Sequence, residues 1–301
     1  MAPPAQPPEV VVIGDVMVDI VVRPTRPLNV GSDTASRIIM APGGSATNAA
    51  VAFAAAGART HLVAAVGDDE LGRAAVRALA TAGVDTHLEV IPGERTGMVV
   101  ALVDATGERS MFTDRGANLR LGPASLVPQL FGAGWHLHLS GYELLDVATR
   151  PTALAALALS AEAGMTRSVD PSSAGPLAAV GGAAFLDWTR GLDWCCANLD
   201  EGRVLTGERR LQDVLSGLRR HYREVALTMG ADGAVFSAPG TEFLHCPADR
   251  VQVDDTTGAG DAFTGTFLAR RLLGDAPKKA LRAGLAAGSR AVTVAGARTW
   301  S

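Results

Sequence analysis

The chain reads as an α/β protein built on a largely parallel sheet with helices on both faces, plus a small β element standing off it. Two observations predict this. Beyond residue 118, apolar strand-like runs alternate with helix-like runs, the order that places parallel strands between helical layers. Segments 16–40 and 95–115 instead read as hairpin-like β structure that does not fit the alternation. Composition agrees: 301 residues with 48% apolar content suffice for one large α/β domain, and 1–301 is expected to be that single unit.

The elements follow in order. Residues 9–14 form a short apolar run ending in Gly14, which fits a buried strand, and 16–22 continue as a second strand until Pro24 and Pro27 break it. Alanine-rich 45–56 predicts a helix stopped by Gly57. A strand at 61–66 precedes a helix at 69–82 that ends at Gly83. Strands at 96–103 and 109–113 flank Ala105-Thr106-Gly107, a turn sequence, so the pair reads as a β-hairpin.

Strands are then expected at 135–139, ending at 168–170, at 192–197 and at 225–229, with short ones near Ala234 and Phe243. Helices are expected at 151–163, 199–205, 211–221, 258–273 and 277 to about 295. His136 and His138 alternate on a strand without a third ligand nearby and read as packed side chains. Trp188, Trp194 and the Cys195-Cys196 pair read as core. Arg109 and Arg115 read as a solvated edge.

Charge and cysteine usage exclude several functions. A net charge of −4 gives no basic field for nucleic acid or an anionic membrane. No apolar run approaches the ~20 residues a membrane helix needs. The proline-rich start, residues 1–8, reads as a loose tail rather than a signal peptide. Three cysteines, two of them adjacent, argue against a disulfide framework or zinc site, so a cytoplasmic, reduced protein is the simplest inference. Lys278 and Lys279 are the only lysines, so neither a P-loop lysine nor the strand lysine of a protein kinase is available. Phosphate chemistry here must use backbone amides, arginine and metal.

The run Asp254-Asp255-Thr256-Thr257-Gly258-Ala259-Gly260-Asp261 is the segment most suited to such chemistry. A glycine turn opens directly into an apolar helix, whose first amides lack internal partners and carry partial positive charge. Gly258 and Gly260 let a phosphate sit on those amides. Asp261 beside a bound anion suits a proton acceptor; the plainer reading is a helix-capping carboxylate.

A second glycine run, Ala41-Pro42-Gly43-Gly44-Ser45-Ala46-Thr47-Asn48, precedes Val66-Gly67-Asp68-Asp69. Together with the 255–261 run, in this order, these motifs resemble the ribokinase, or PfkB, family of small-molecule kinases, over residues 10 to about 297. The resemblance implies a three-layer α/β/α ribokinase-like fold with a largely parallel central sheet and a small β lid from segments 16–40 and 95–115. It implies an ATP-dependent phosphotransferase acting on an alcohol hydroxyl of a sugar. The alternatives are a nucleoside kinase and a catalytically silent sugar-binding sensor.

Site roles follow from the same resemblance. Asp261 would be the general base, worth about 10²–10⁴ in rate. The amides of Gly258, Ala259, Gly260 and Asp261 would form an anion hole. Asp19, Gly43, Gly44 and Asn48 match substrate-binding positions, the last three as a loop beside Asp19, and Asp255 matches a substrate contact that also organises a nearby K⁺. Asp15 reads as a solvated strand end. Asn198 and Glu201, in Asn198-Leu199-Asp200-Glu201, match a motif that acts on Mg²⁺ and phosphates through water, though by itself such spacing is more often a helix cap. Thr228, Gly230 and Gly233 match the nucleotide-side loop, with Gly233 also suited to a turn. The adenine pocket would come from around Gly284 to Ser289.

The family's lids often pair between subunits, so a homodimer through the lid is an expectation. Gly141 stands where ribokinase itself would carry a ribose-contacting Glu, and Met17 where it tends to carry Asn. Met17 would make one pocket wall more apolar.

Overall fold

A computed structural model describes residues 6–104, 109–241 and 243–293. Thirteen strands lie among them. β1 is Glu9–Ile13, β2 Met17–Pro24, β3 Ser36–Gly43, β4 Arg59–Gly67, β5 Val84–Ile91, β6 Gly97–Val103 and β7 Arg109–Asp114. β8 is His136–Ser140, β9 Thr166–Asp170, β10 Trp194–Asn198, β11 Glu224–Thr228, β12 Ala234–Ser237 and β13 Leu244–Cys246. The α-helices are α1 Ser45–Ala55, α2 Glu70–Thr81, α3 Tyr142–Leu145, α4 Arg150–Glu162, α5 Ala174–Val180, α6 Gly182–Trp188, α7 Leu199–Thr206, α8 Leu211–Leu218, α9 Ala259–Leu272 and α10 Pro277–Ala291.

The large sheet runs β13-β12-β11-β10-β9-β8-β1-β4-β5. It is parallel from β11 to β5, and β12 and β13 join antiparallel at one edge. Strand periodicity sorts the two cores. Val11, Leu137, Cys195 and Val225 face a cluster with Leu144, Ala153, Leu177, Phe185, Leu205 and Val214 from α3 to α8. Val10, Leu62, Cys196 and Ala226 face the other, with Phe53, Leu79, Phe267 and Leu281 from α1, α2, α9 and α10. The adjacent cysteines therefore point to opposite faces, as residues i and i+1 of a strand must. The expected three layers are present.

A second sheet, β3-β2-β6-β7, is built from the two off-pattern segments. β6 and β7 are antiparallel as expected; the turn at 105–107 lies outside the described residues. β3 extends through Gly43, so Gly43 belongs to a strand, Gly44 caps α1, and Asn48 lies in the first turn of α1. This corrects the expected loop. β5 was not expected: its Asp85, His87 and Glu89 suit a sheet edge, which polar side chains protect, and so obscure the apolar signal. The last helix ends at Ala291, and the expected extension to 295 reaches residues outside the description.

The packed-histidine reading holds. His136 and His138 are buried and share the Ser168 hydroxyl at 2.8 Å each. Burial pushes both down to about 3, so they stay neutral. Trp194 and Trp188 are half-buried against the core; the Arg150 guanidinium lies 4.1 Å from the Trp188 ring centroid.

Candidate active site

The parallel strands end together along one edge of the large sheet, at Ser140, Asp170, Asn198 and Thr228, where open α/β sheets bind ligands. Helices α1 and α9 pack closely there: a Cβ on Gly265 would come within 2.5 Å of the Ala49 carbonyl. Their N-termini consequently meet. Asp261, third residue of α9 after its Gly258 cap, accepts 2.8 Å from Ser45 Oγ and 2.9 Å from Asn48 Nδ2, both in the first turn of α1.

These bonds orient the carboxylate and favour its charged form, but burial and the nearby Asp170 outweigh them. Asp261 is pushed up to about 7. A carboxyl titrating there is matched to proton transfer near neutrality. The buried Asn48 Oδ1 has no hydrogen-bond partner, an acceptor left over on the side chain whose Nδ2 donates to the base.

The Gly258 cap is left-handed, φ 74°, and turns the chain into α9 with its first-turn amides at the helix mouth. The Ala259 amide leans on the Thr256 carbonyl at 3.4 Å. Beside Gly260 an added Cβ would meet open space. Asp255 is buried and its Oδ1 accepts from the Thr257 amide, 2.9 Å, and hydroxyl, 2.7 Å, an Asx turn that fixes the loop before the helix.

Asp19 is buried in β2, and its carboxylate fills the space over Gly43: a Cβ there would lie within 2.5 Å of Oδ2. Gly44, at φ 96°, brings the chain over the Asp15 carbonyl. Asp15 is buried rather than solvated. Its Oδ1 accepts from the Ala46 amide at 2.9 Å and its carbonyl from Thr47 Oγ1 at 2.7 Å, so it secures the start of α1. Met17 is also buried, its sulfur 3.2 Å from Asn118 Nδ2.

Asn198 and Glu201 form a closed capping box at the start of α7: Asn198 Oδ1 accepts from the Glu201 amide, and Glu201 Oε2 from the Asn198 amide, both at 2.9 Å. Glu201 is nevertheless pushed up, first by burial and then by Asp170. Asp170, at the end of β9, accepts from Thr264 Oγ1 at 3.1 Å and from the Ser172 amide at 2.8 Å, and burial raises it as well. Asp170, Glu201 and Asp261 thus share one electrostatic neighbourhood. Sequence reasoning did not single out Asp170; the available signal was an acid at the C-terminal end of a parallel strand.

Thr228 pairs in register with Asn198, its hydroxyl 3.4 Å from the Ala197 carbonyl. Gly230 has open space around it. Gly233 does not: at φ 91° its Cβ would lie 2.7 Å from the Ala248 amide, so its turn role suffices to explain it. Gly284 and Gly288 sit against Phe263 and Ala259, where they let α10 approach α9.

Arg115 is not a solvated edge residue. Its Nη2 donates to Glu143 Oε1 at 2.8 Å and its Nη1 to the Tyr142 carbonyl at 3.0 Å, with the side chain only 15% exposed. Glu143 is fully buried, and burial pushes it up to about 7 against the pull of Arg115. Because its pKa is raised in the fold, its favourable contribution is complete below the unfolded carboxylate range and is lost as pH rises through about 7. Arg115→Ala should therefore destabilise the fold by about 3 kcal/mol at pH 8, and by less at pH 5.5, in denaturant titrations. Equal losses at both pH values would contradict the pairing.

Gly141 leaves no room for a side chain: its Cβ would lie 2.5 Å from the Asp170 carbonyl. No acidic side chain fits at position 141.

Residues 7–301 match the pfkB family carbohydrate kinases. The ATP-dependent ribose-1-phosphate kinase of Halopiger xanaduensis is 32% identical over 261 residues, 85% of this chain and 82% of that protein. The fructokinase of Klebsiella pneumoniae is 33% identical over 270 residues, 86% of this chain and 82% of that one. Among solved structures, the adenosine kinase of Sinorhizobium meliloti superposes with a TM-score of 0.88 at 25% identity, covering 98% of this chain and 96% of its own. The fructokinase of Vibrio cholerae O395, in its fructose-, ADP- and calcium-bound form, superposes at 0.82 with 26% identity, over 97% and 95%. No helix among the described residues is long and apolar enough to cross a membrane. With its motifs, fold and relatives in agreement, the chain belongs to the pfkB family of carbohydrate kinases and is an ATP-dependent sugar kinase.

Proposed function

We propose that Asp261 accepts the proton of a sugar hydroxyl as that oxygen bonds to the γ-phosphorus of ATP. The bond to the bridging oxygen breaks, and ADP leaves with its electron pair. The first-turn amides of Gly258, Ala259, Gly260 and Asp261 hold the charge of the transferring phosphoryl, a task for preorganised donors that needs no lysine. The observation that carries this reading is the carboxyl of Asp261, fixed by Ser45 and Asn48 at the meeting of two helix N-termini and titrating near 7.

Asp19, with Gly43 and Gly44 beneath it, and the unpartnered Asn48 Oδ1 are the acceptor-binding groups. Thr228 and Gly230 face the nucleotide; Gly233 serves the turn, and Asp255 shapes the loop. Asp170 and Glu201 fit a divalent cation, because burial raises both acids, the charge of Asp170 raises Glu201 further, and a positive charge would relieve that cost. Mg²⁺ dehydrates reluctantly and would be held here largely through water and phosphate. When bound, Mg²⁺ supplies charge that offsets the phosphates. K⁺ near Asp255 is a further proposal.

The chain acts as one catalytic unit, with the small sheet as a lid that closes over the sugar and excludes water. Its outward face carries Ile38, Met40 and Phe112, 61%, 46% and 62% exposed, a surface suited to a homodimer. The three buried free thiols suit a reducing cytoplasm. A nucleoside acceptor is the second reading, favoured by the likeness to an adenosine kinase.

The test is ADP formation from ATP and Mg²⁺ with fructose, ribose 1-phosphate, 2-dehydro-3-deoxygluconate and adenosine, with and without K⁺. A sugar-dependent rate supports the proposal. Thermal stabilisation by a sugar without ADP formation contradicts it and favours a sensor.

A further inference from the structure

Asp19, Val21 and Arg23 alternate along β2 and so share one face of the small sheet. Arg23, about 13 Å along the strand from Asp19, reaches the loop that leads into α9. Its Nη1 donates to Asp254 Oδ1 at 2.7 Å and its Nη2 to the Asp254 carbonyl at 2.9 Å, joining segments 231 residues apart. From the other side, the Asp254 and Asp255 amides donate to the Val292 carbonyl at the end of α10, at 2.8 and 3.2 Å. The loop ahead of Gly258 is therefore gripped between the small sheet and the last helix.

A side-chain ion pair as exposed as this one, 28% and 42%, contributes little to stability by itself. The second bond changes its meaning. A planar guanidinium holding a carboxylate oxygen and a main-chain carbonyl together fixes the position of the backbone, which a lysine cannot do from one point. Asp254 is next to Asp255, whose Asx turn sets the approach to the Gly258 cap. A chain of contacts thus runs from β2 through Arg23 and Asp254 to the turn before the amides at the mouth of α9.

We propose that Arg23 and Asp254 form a latch, a pair of positioning residues that aligns the phosphoryl-holding loop with the small sheet when an acceptor engages Asp19. This rests on the roles proposed for Asp19 and the α9 amides. With the latch closed, the strand that binds the sugar also sets the anion hole, so transfer is favoured when the acceptor is in place.

The experiment compares the full-length protein with Arg23→Ala, Asp254→Ala, the double variant and Arg23→Lys. Hydrogen–deuterium exchange of peptides spanning 250–258 and α9 is measured without ligand. ADP formation is measured with ATP, Mg²⁺ and whichever of fructose, ribose 1-phosphate, 2-dehydro-3-deoxygluconate or adenosine gives the highest wild-type rate. Arg23→Ala should accelerate exchange in 250–258 and leave the body of α9 unchanged. It should lower kcat about tenfold, equivalent to about 1.4 kcal/mol. Asp254→Ala, which leaves the main-chain carbonyl bond in place, should cost no more than Arg23→Ala, and the double variant no more than Arg23→Ala alone. Arg23→Lys should recover part of the rate, and it carries both measurements if the alanine variant does not fold.

Unchanged exchange in 250–258, or losses that simply add in the double variant, would overturn the latch. If the wild type makes no ADP with any acceptor, the reading of the site fails, while the exchange result still decides the latch.

Discussion

Asp261→Asn is expected to lower kcat by about 10²–10⁴, the range for a positioned general base, while ATP binding stays nearly unchanged. The amide replaces the carboxylate at almost the same size and keeps an oxygen to accept from Asn48 or Ser45. The end of α9 is therefore retained, with its amides. What is lost is the carboxylate, held by Ser45 and Asn48, that can take a proton where α1 and α9 meet. Removing the negative charge also eases the repulsion felt by Asp170, Glu201 and an incoming phosphate, so nucleotide affinity has no reason to fall. Titration calorimetry for ATP–Mg beside steady-state turnover reads the two effects separately. Parallel losses in both would assign Asp261 to nucleotide binding or to helix capping.

Gly43→Ala should also be damaging, though less so and through the acceptor. The new methyl would land within 2.5 Å of the Asp19 carboxylate, and the register of β3 on β2 leaves that acid no simple retreat: Asp19 opposes Ala41 and Met17 opposes Gly43. Displacing one charged hydrogen-bonding group costs about 1.5–3 kcal/mol, or about 10- to 100-fold in kcat/KM for the sugar. ATP turnover without acceptor, and the KM for ATP, should not move. An unchanged kcat/KM for every acceptor would show that Asp19 does not contact the substrate.

The sequence made the motifs legible more readily than the connections between them. The glycine turn into α9 and the strand–helix alternation carry their physics locally, in backbone freedom and apolar periodicity. The partnership of Asp261 with Ser45 and Asn48 spans more than 210 residues and depends on how closely Gly265 lets two helices approach, which no local pattern encodes. Asp15 and Arg115 were misread for a related reason. A charged residue at a strand end resembles a solvated one until its partner, the Ala46 amide or Glu143, is brought to it. Asn198 and Glu201 teach the converse. Their spacing suits a cap and a cation-facing pair equally, and the capping box is formed while Glu201 also feels Asp170. β5 escaped because an edge strand must be polar enough to stay unpaired.

The central claim is that the proton acceptor is the carboxyl held by Asn48 and Ser45. Both hydrogen bonds favour its charged form, so removing either must raise its titration point from about 7. The most direct measurement is the pH dependence of kcat/KM for the sugar at saturating ATP–Mg, in the wild type, Asn48→Ala and Ser45→Ala. The account predicts an acid limb, with activity lost as pH falls, that moves to higher pH in both variants and further for Asn48→Ala. A limb that stays in place, or moves to lower pH, would contradict it and give the proton to another group.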